Sequence, residues 1–98
     1  MNDSYKFEKI CKNIIVDYFN KNVEKTDNVK ISIQDVYVVW MCKALKNSKA
    51  LLSTNIPDGL YYELTYNGKK DEIYVDVYKK WKNYVVKSEE FNDKAEVE

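Results

Sequence analysis

Val36-Tyr37-Val38-Val39-Trp40-Met41-Cys42-Lys43-Ala44-Leu45 opens the part of the chain that decides the fold. It is followed by Ala50-Leu51-Leu52-Ser53-Thr54, then Leu60-Tyr61-Tyr62-Glu63-Leu64-Thr65-Tyr66, then Ile73-Tyr74-Val75-Asp76-Val77-Tyr78. These runs are rich in β-branched and aromatic residues, which suit a pleated, half-buried surface. Three breaks separate them: Lys46-Asn47-Ser48-Lys49, Asn55-Ile56-Pro57-Asp58-Gly59 and Asn67-Gly68. Connections this short join neighbouring antiparallel strands. Asn-Gly is a strong hairpin signal because both residues tolerate positive φ, so Gly68 is expected there. The pattern predicts a four-stranded antiparallel meander.

Alternation assigns the faces. Leu60, Tyr62, Leu64 and Tyr66 share one side of the third run, and Ile73, Val75 and Val77 one side of the fourth. These rows are expected to face a core. The opposite rows hold Tyr61, Glu63 and Thr65, and Tyr74, Asp76 and Tyr78. The first run is apolar on both rows, as a central or doubly covered strand would be. Strict alternation puts Tyr37, Val39, Met41 and Lys43 on the outer face and turns Trp40 and Cys42 inward; a bulge would reverse this near its position.

Upstream, Phe7, Ile10, Cys11, Ile14, Ile15, Tyr18 and Phe19 recur at three- and four-residue spacing. This predicts an amphipathic helix over 5–23, started by Ser4 or Asp3 and fraying through Asn22 to Lys25. Phe7, Ile14, Leu64 and Val75 should be buried where helix meets sheet. Thr26-Asp27-Asn28 reads as a loop, and Val29 to Ile33 as a short strand or an extended lead-in. Residues 79–87 read as a short C-terminal helix or a strand extension, the helical turn preferred. The whole is an α+β domain over residues 1–87, with residues 88–98 an acidic, frayed tail.

With 98 residues the chain holds one domain. Sixteen lysines balance sixteen acidic residues, leaving no global field to gather phosphates. There is no arginine, the usual reader of phosphate and guanine, so nucleic-acid binding is disfavoured. No run of apolar residues is long enough to span a membrane, and no secretion signal is seen, so a cytoplasmic protein is expected. In that compartment Cys11 and Cys42, both amid apolar neighbours, are expected to be buried free thiols.

The chemistry is sparse. Without histidine there is no Ser-His or Cys-His pair and no common metal ligand. The glycines, Gly59 and Gly68, suit turns rather than a phosphate loop. Glu63 and Asp76 fall on one face of adjacent strands, but two carboxylates alone hold a divalent cation weakly. The reading is therefore no enzyme, no catalytic residue, no metal and no cofactor. What remains is an outer patch of Tyr37, Met41, Lys43, Tyr61, Glu63, Tyr74, Asp76 and Tyr78. Tyr and Met favour protein interfaces, so a partner protein or a second copy of the chain is the expected occupant. The same aromatics could stack a nucleobase, with Lys79, Lys80 and Lys82 contacting phosphate.

The Trp40-Met41-Cys42-Lys43 segment, the Lys49-Ala50-Leu51-Leu52-Ser53-Thr54 run, Pro57-Asp58-Gly59 and the stretch from Tyr61 to Lys80 resemble a family of small phage and prophage proteins of low-GC Gram-positive bacteria. The resemblance covers roughly residues 35–80. The Lys, Asn, Ile and Tyr richness fits such a source. The resemblance supplies a setting and no catalytic residues. It implies an accessory protein acting inside a bacterial host, by binding a host protein as a counter-defence inhibitor or by sequestering a signalling nucleotide.

Overall fold

The computed structural model describes residues 4–22 and 29–90. It has a helix, α1 (Ser4–Asn22), a 3₁₀ turn (Ile33–Asp35), and four strands: β1 (Val36–Ala44), β2 (Asn47–Thr54), β3 (Leu60–Asn67) and β4 (Glu72–Lys79). The strands form one antiparallel sheet in the order β1-β2-β3-β4. The expected α+β meander with an N-terminal helix is what the chain adopts. The proposed Asp3 cap, the Thr26-Asp27-Asn28 loop, the fraying to Lys25 and residues 91–98 of the tail lie outside the described residues.

Phe7, Cys11, Ile15 and Phe19 are the buried stripe of α1, one per turn. They pack on Ala50, Leu52, Tyr62, Leu64 and Tyr66, the inner rows of β2 and β3. Asn20 ties the returning chain to the helix: its side chain accepts from Ile31 N–H at 2.9 Å and donates to Ile31 O at 3.1 Å. Val29 to Ser32 has no regular structure, and the 3₁₀ turn follows. There Ser32 N–H donates to the Asp35 carboxylate at 2.8 Å, which holds the Asp35 pKa below its ordinary value.

The helix backbone lies over β1 and β2, and its side chains extend to β3 rather than across the whole sheet. This corrects one expectation. Val75 has the predicted orientation but is 39% exposed, and Val77 38%, because α1 packs chiefly over β1 and β2 and leaves this part of β4 open. Phe7 and Leu64 are buried as expected, and Ile14 is half-buried. β1 is also an edge strand, not a central one.

The turns differ from the simplest reading. β1 and β2 are joined by Leu45-Lys46 alone, and Leu45 takes φ 57° with its side chain in solvent. The loop from β3 to β4 spans residues 68–71, and Asp71, not Gly68, takes the left-handed conformation at φ 54°. The Asn67 side chain accepts from the N–H groups of Lys69 and Lys70, both at 3.1 Å, which closes a longer loop than an Asn-Gly turn needs. Gly68 serves a different purpose: a Cβ there would lie 2.1 Å from Lys46 O. Gly59 is the glycine at positive φ, 74°.

After β4, Lys80 N–H donates to Gly59 O at 2.7 Å, continuing the ladder by one rung. Residues 80–87 then run without regular structure, and the helical residues of the C-terminal region begin at Glu89.

Candidate functional site

One event in β1 sets the composition of the outer face. The register shifts between Val38 and Trp40, so Val39 is an extra residue in the strand. Beyond it every side chain changes sides. Met41 lies opposite Ala50 and packs against the core, and Lys43 lies opposite Ser48 on the same inner side. Neither belongs to the outer patch, and Trp40 and Cys42 take their places. Cys42 is thus exposed rather than buried, while Cys11 is buried as expected; both are free. Burial, with a smaller contribution from Glu8, pushes the Cys11 thiol up to about 12.

The outer face reads as three rows across the four strands. Tyr37, Ser53, Tyr61 and Tyr78 form the first; Trp40, Leu51, Glu63 and Asp76 the second; Cys42, Lys49, Thr65 and Tyr74 the third. Six of the eight expected patch residues therefore share this face: Tyr37, Tyr61, Glu63, Tyr74, Asp76 and Tyr78. Trp40, Leu51 and Lys49 were not anticipated there. No described helix covers the face, and Tyr37, Trp40, Tyr74 and Tyr78 are exposed on it.

Its centre is acidic. Glu63 and Asp76 are direct cross-strand partners, a like-charge pairing that destabilises a sheet unless it is relieved. Lys49 Nζ lies 3.7 Å from Glu63 Oε2, and Tyr78 Oη donates to Glu63 Oε1 at 3.3 Å. The negative charge of Glu63, then of Asp76, raises the Tyr78 pKa. Tyr74 Oη donates to Glu72 at 2.7 Å, and that hydrogen bond raises its pKa too. At neutral pH both phenols are thus held as neutral donors on an aromatic surface with an anionic centre. Among the described residues no group of three or more His, Cys, Asp or Glu side chains converges on a point that could hold a metal.

At one end of the face a cleft of about 280 Å³ opens between Tyr37 and Tyr61. Ser53 lies at its floor, buried, with its hydroxyl donating to Leu60 O at 2.7 Å. Lys80 lines it, its Nζ 5.6 Å from the Tyr61 ring centroid. Of the three lysines expected to act together, only Lys80 comes here. Lys79 lies opposite Leu60 on the inner row, and Lys82 stands over Tyr84.

One helix on one side of an open antiparallel sheet, and a bare aromatic surface on the other, define a small α+β domain with an open sheet face. The chain belongs to the family DUF6275, a family of unknown function, whose model matches residues 8–88, from the second turn of α1 past β4. No curated protein and no solved structure matches it. No helix among the described residues is long and apolar enough to cross a membrane.

Proposed function

We propose that this is a non-enzymatic binding protein, and that the outer sheet face is where it meets a partner protein. The observation that carries the reading is the bare face itself: Trp40, Tyr37, Tyr74 and Tyr78 stand exposed together around Glu63 and Asp76. Monomers rarely leave contiguous aromatic area uncovered, and tyrosine provides large contact area at low entropic cost. The resemblance to phage and prophage proteins extends the reading. The partner is then a host protein in the bacterial cytoplasm, and the activity is counter-defence by occlusion. The anionic centre favours a partner surface that presents lysine or arginine between apolar side chains.

The test is a double variant, Glu63→Lys with Tyr74→Ala, compared with wild type in capture from a low-GC Gram-positive host. Neither side chain belongs to the core, so folding should persist. A host protein retained by wild type and lost by the folded double variant supports the reading; equal retention by both overturns it.

The cleft favours one second reading. Tyr37 and Tyr61 could stack a base while Lys80 meets a phosphate, as in a nucleotide sponge. Calorimetric titration with mono-, di- and cyclic nucleotides decides it. Binding that survives the double variant but fails in Tyr61→Ala would assign the cleft instead of the face.

A further inference from the structure

The far side of the domain holds two unsatisfied features that fit each other. The first is β4. It is an edge strand, and an edge strand offers a row of unpaired backbone groups. β1, the other edge, is interrupted by its bulge, whereas β4 pairs with β3 in unbroken register from Glu72 to Lys79. The inner row of β4 carries Val75 and Val77 exposed beyond the reach of α1. The second feature is the segment that follows. Trp81 is 97% exposed and Val85 82%, with Tyr84 and Val86 also in solvent. From Trp81 to Val86 the chain makes no hydrogen bond to the rest of the described residues. The radius of gyration is 17.0 Å, against about 13 Å for a compact domain of this length, so the molecule is more extended than its core requires. The family match runs through this segment to residue 88, so the arm is part of the family domain rather than an appended tail.

We infer that the arm of one copy, residues 80–85, adds to the β4 edge of a second copy, and reciprocally, in a two-fold dimer with one continuous eight-stranded sheet. The sequence selects a register. With Lys79 on the two-fold axis, Trp81 falls opposite the partner's Val77, Asn83 opposite its Val75 and Val85 opposite its Ile73, so Val77 and Ile73 meet apolar partners and Val75 lies between Trp81 and Val85 on the neighbouring strand. On the other face Lys82 falls opposite the partner's Asp76, and Lys80 opposite its Tyr78. Charge and apolar pairing are thus satisfied together, with Lys79 against its own copy as the one like-charge contact. The isologous contact closes, so it ends at a dimer. The arm cannot serve its own β4 this way, because residues 79–83, Lys-Lys-Trp-Lys-Asn, run on from the strand without a reversing turn.

Sedimentation velocity across the micromolar range should show a monomer–dimer equilibrium in wild type. Lys82→Glu and Asp76→Lys should each weaken dimerisation by about tenfold or more, and the double variant should restore it. All of these positions are exposed, so circular dichroism should report unchanged folding. Lys79→Cys in a Cys42→Ser background should form an intermolecular disulfide on mild oxidation, because antiparallel partners at the axis approach to bonding range. A chain monomeric throughout, a double variant as weak as the singles, or a dimer broken by Trp40→Ala and untouched by Trp81→Ala would overturn the inference. The last outcome would place self-association on the outer face.

Discussion

Replacing Gly68 tests the account of the turns. The Cβ of an alanine there would lie 2.1 Å from Lys46 O and 2.9 Å from Lys46 Cβ. The nearest obstacle is a backbone carbonyl in the two-residue β1–β2 turn, so no rotamer change can clear it. The turn must retreat by more than an ångström to reach the 3.4 Å of an ordinary contact. Overpacking of this kind costs about 1 to 3 kcal/mol, which in a domain of this size lowers Tm by roughly 4 to 24 °C. The companion is Gly59, where φ is 74° and the nearest atom to a Cβ is a flexible Lys79 carbon at 3.8 Å. Gly59→Ala should cost about 1 to 2 kcal/mol through backbone conformation, and Gly59→Asn less, because asparagine tolerates the left-handed region. At Gly68 the order reverses: asparagine is larger, so Gly68→Asn should be at least as harmful as Gly68→Ala. Thermal unfolding of the four variants by circular dichroism gives the comparison. A Gly68→Asn protein more stable than Gly68→Ala would refute the steric account and return Gly68 to the role that Asn-Gly suggests.

Three further outcomes are expected. The hydroxyl of Tyr62 is fully buried and has no partner among the described residues, so Tyr62→Phe should be neutral or stabilising by up to about 1 kcal/mol in urea unfolding; a clear loss would mean the hydroxyl is satisfied. Leu64→Ala should cost about 2 to 5 kcal/mol, but Val75→Ala, at a site α1 leaves open, less than about 1 kcal/mol in the monomer; similar costs would contradict the placement of the helix. Alkaline pH should destabilise the fold: Cys11 and Tyr62 both titrate near 12, above their ordinary 9.0 and 10.0. The folded state then retains protons that the unfolded state loses, so stability is full below pH 9 and declines as pH rises towards 12. Cys11→Ala should delay the onset, and a flat profile over that range would contradict both burials.

Much of the architecture was legible because the relevant rows alternate cleanly. Phe7, Cys11, Ile15 and Phe19 announce one helix face, and Leu60, Tyr62, Leu64 and Tyr66 one strand face. Outer-face membership of Tyr61, Glu63, Tyr74, Asp76 and Tyr78 follows from the same period. Across Tyr37 to Cys42 the signal vanishes, because residues on both sides of β1 are apolar and a slip of one residue leaves the pattern equally good. The bulge at Val39 was therefore visible only as an alternative, and Met41, Lys43, Trp40 and Cys42 depended on it. Periodicity also tells which way Val75 and Val77 point without saying whether a 19-residue helix reaches them. The Asn67-Gly68 pair marked a turn correctly, but the backbone N–H groups of Lys69 and Lys70, donating to the Asn67 side chain, close a longer loop.

The bulge has a practical consequence for anyone wishing to watch this molecule. By turning Cys42 outward while Cys11 stays sealed beneath α1 with its thiol pushed up to about 12, it leaves the native chain with one readily reactive sulfur. A maleimide dye or spin label added at neutral pH should modify Cys42 alone, with no engineered mutation. The attached probe would stand beside Lys49 on the bare sheet face, where the arrival of a partner would change its environment.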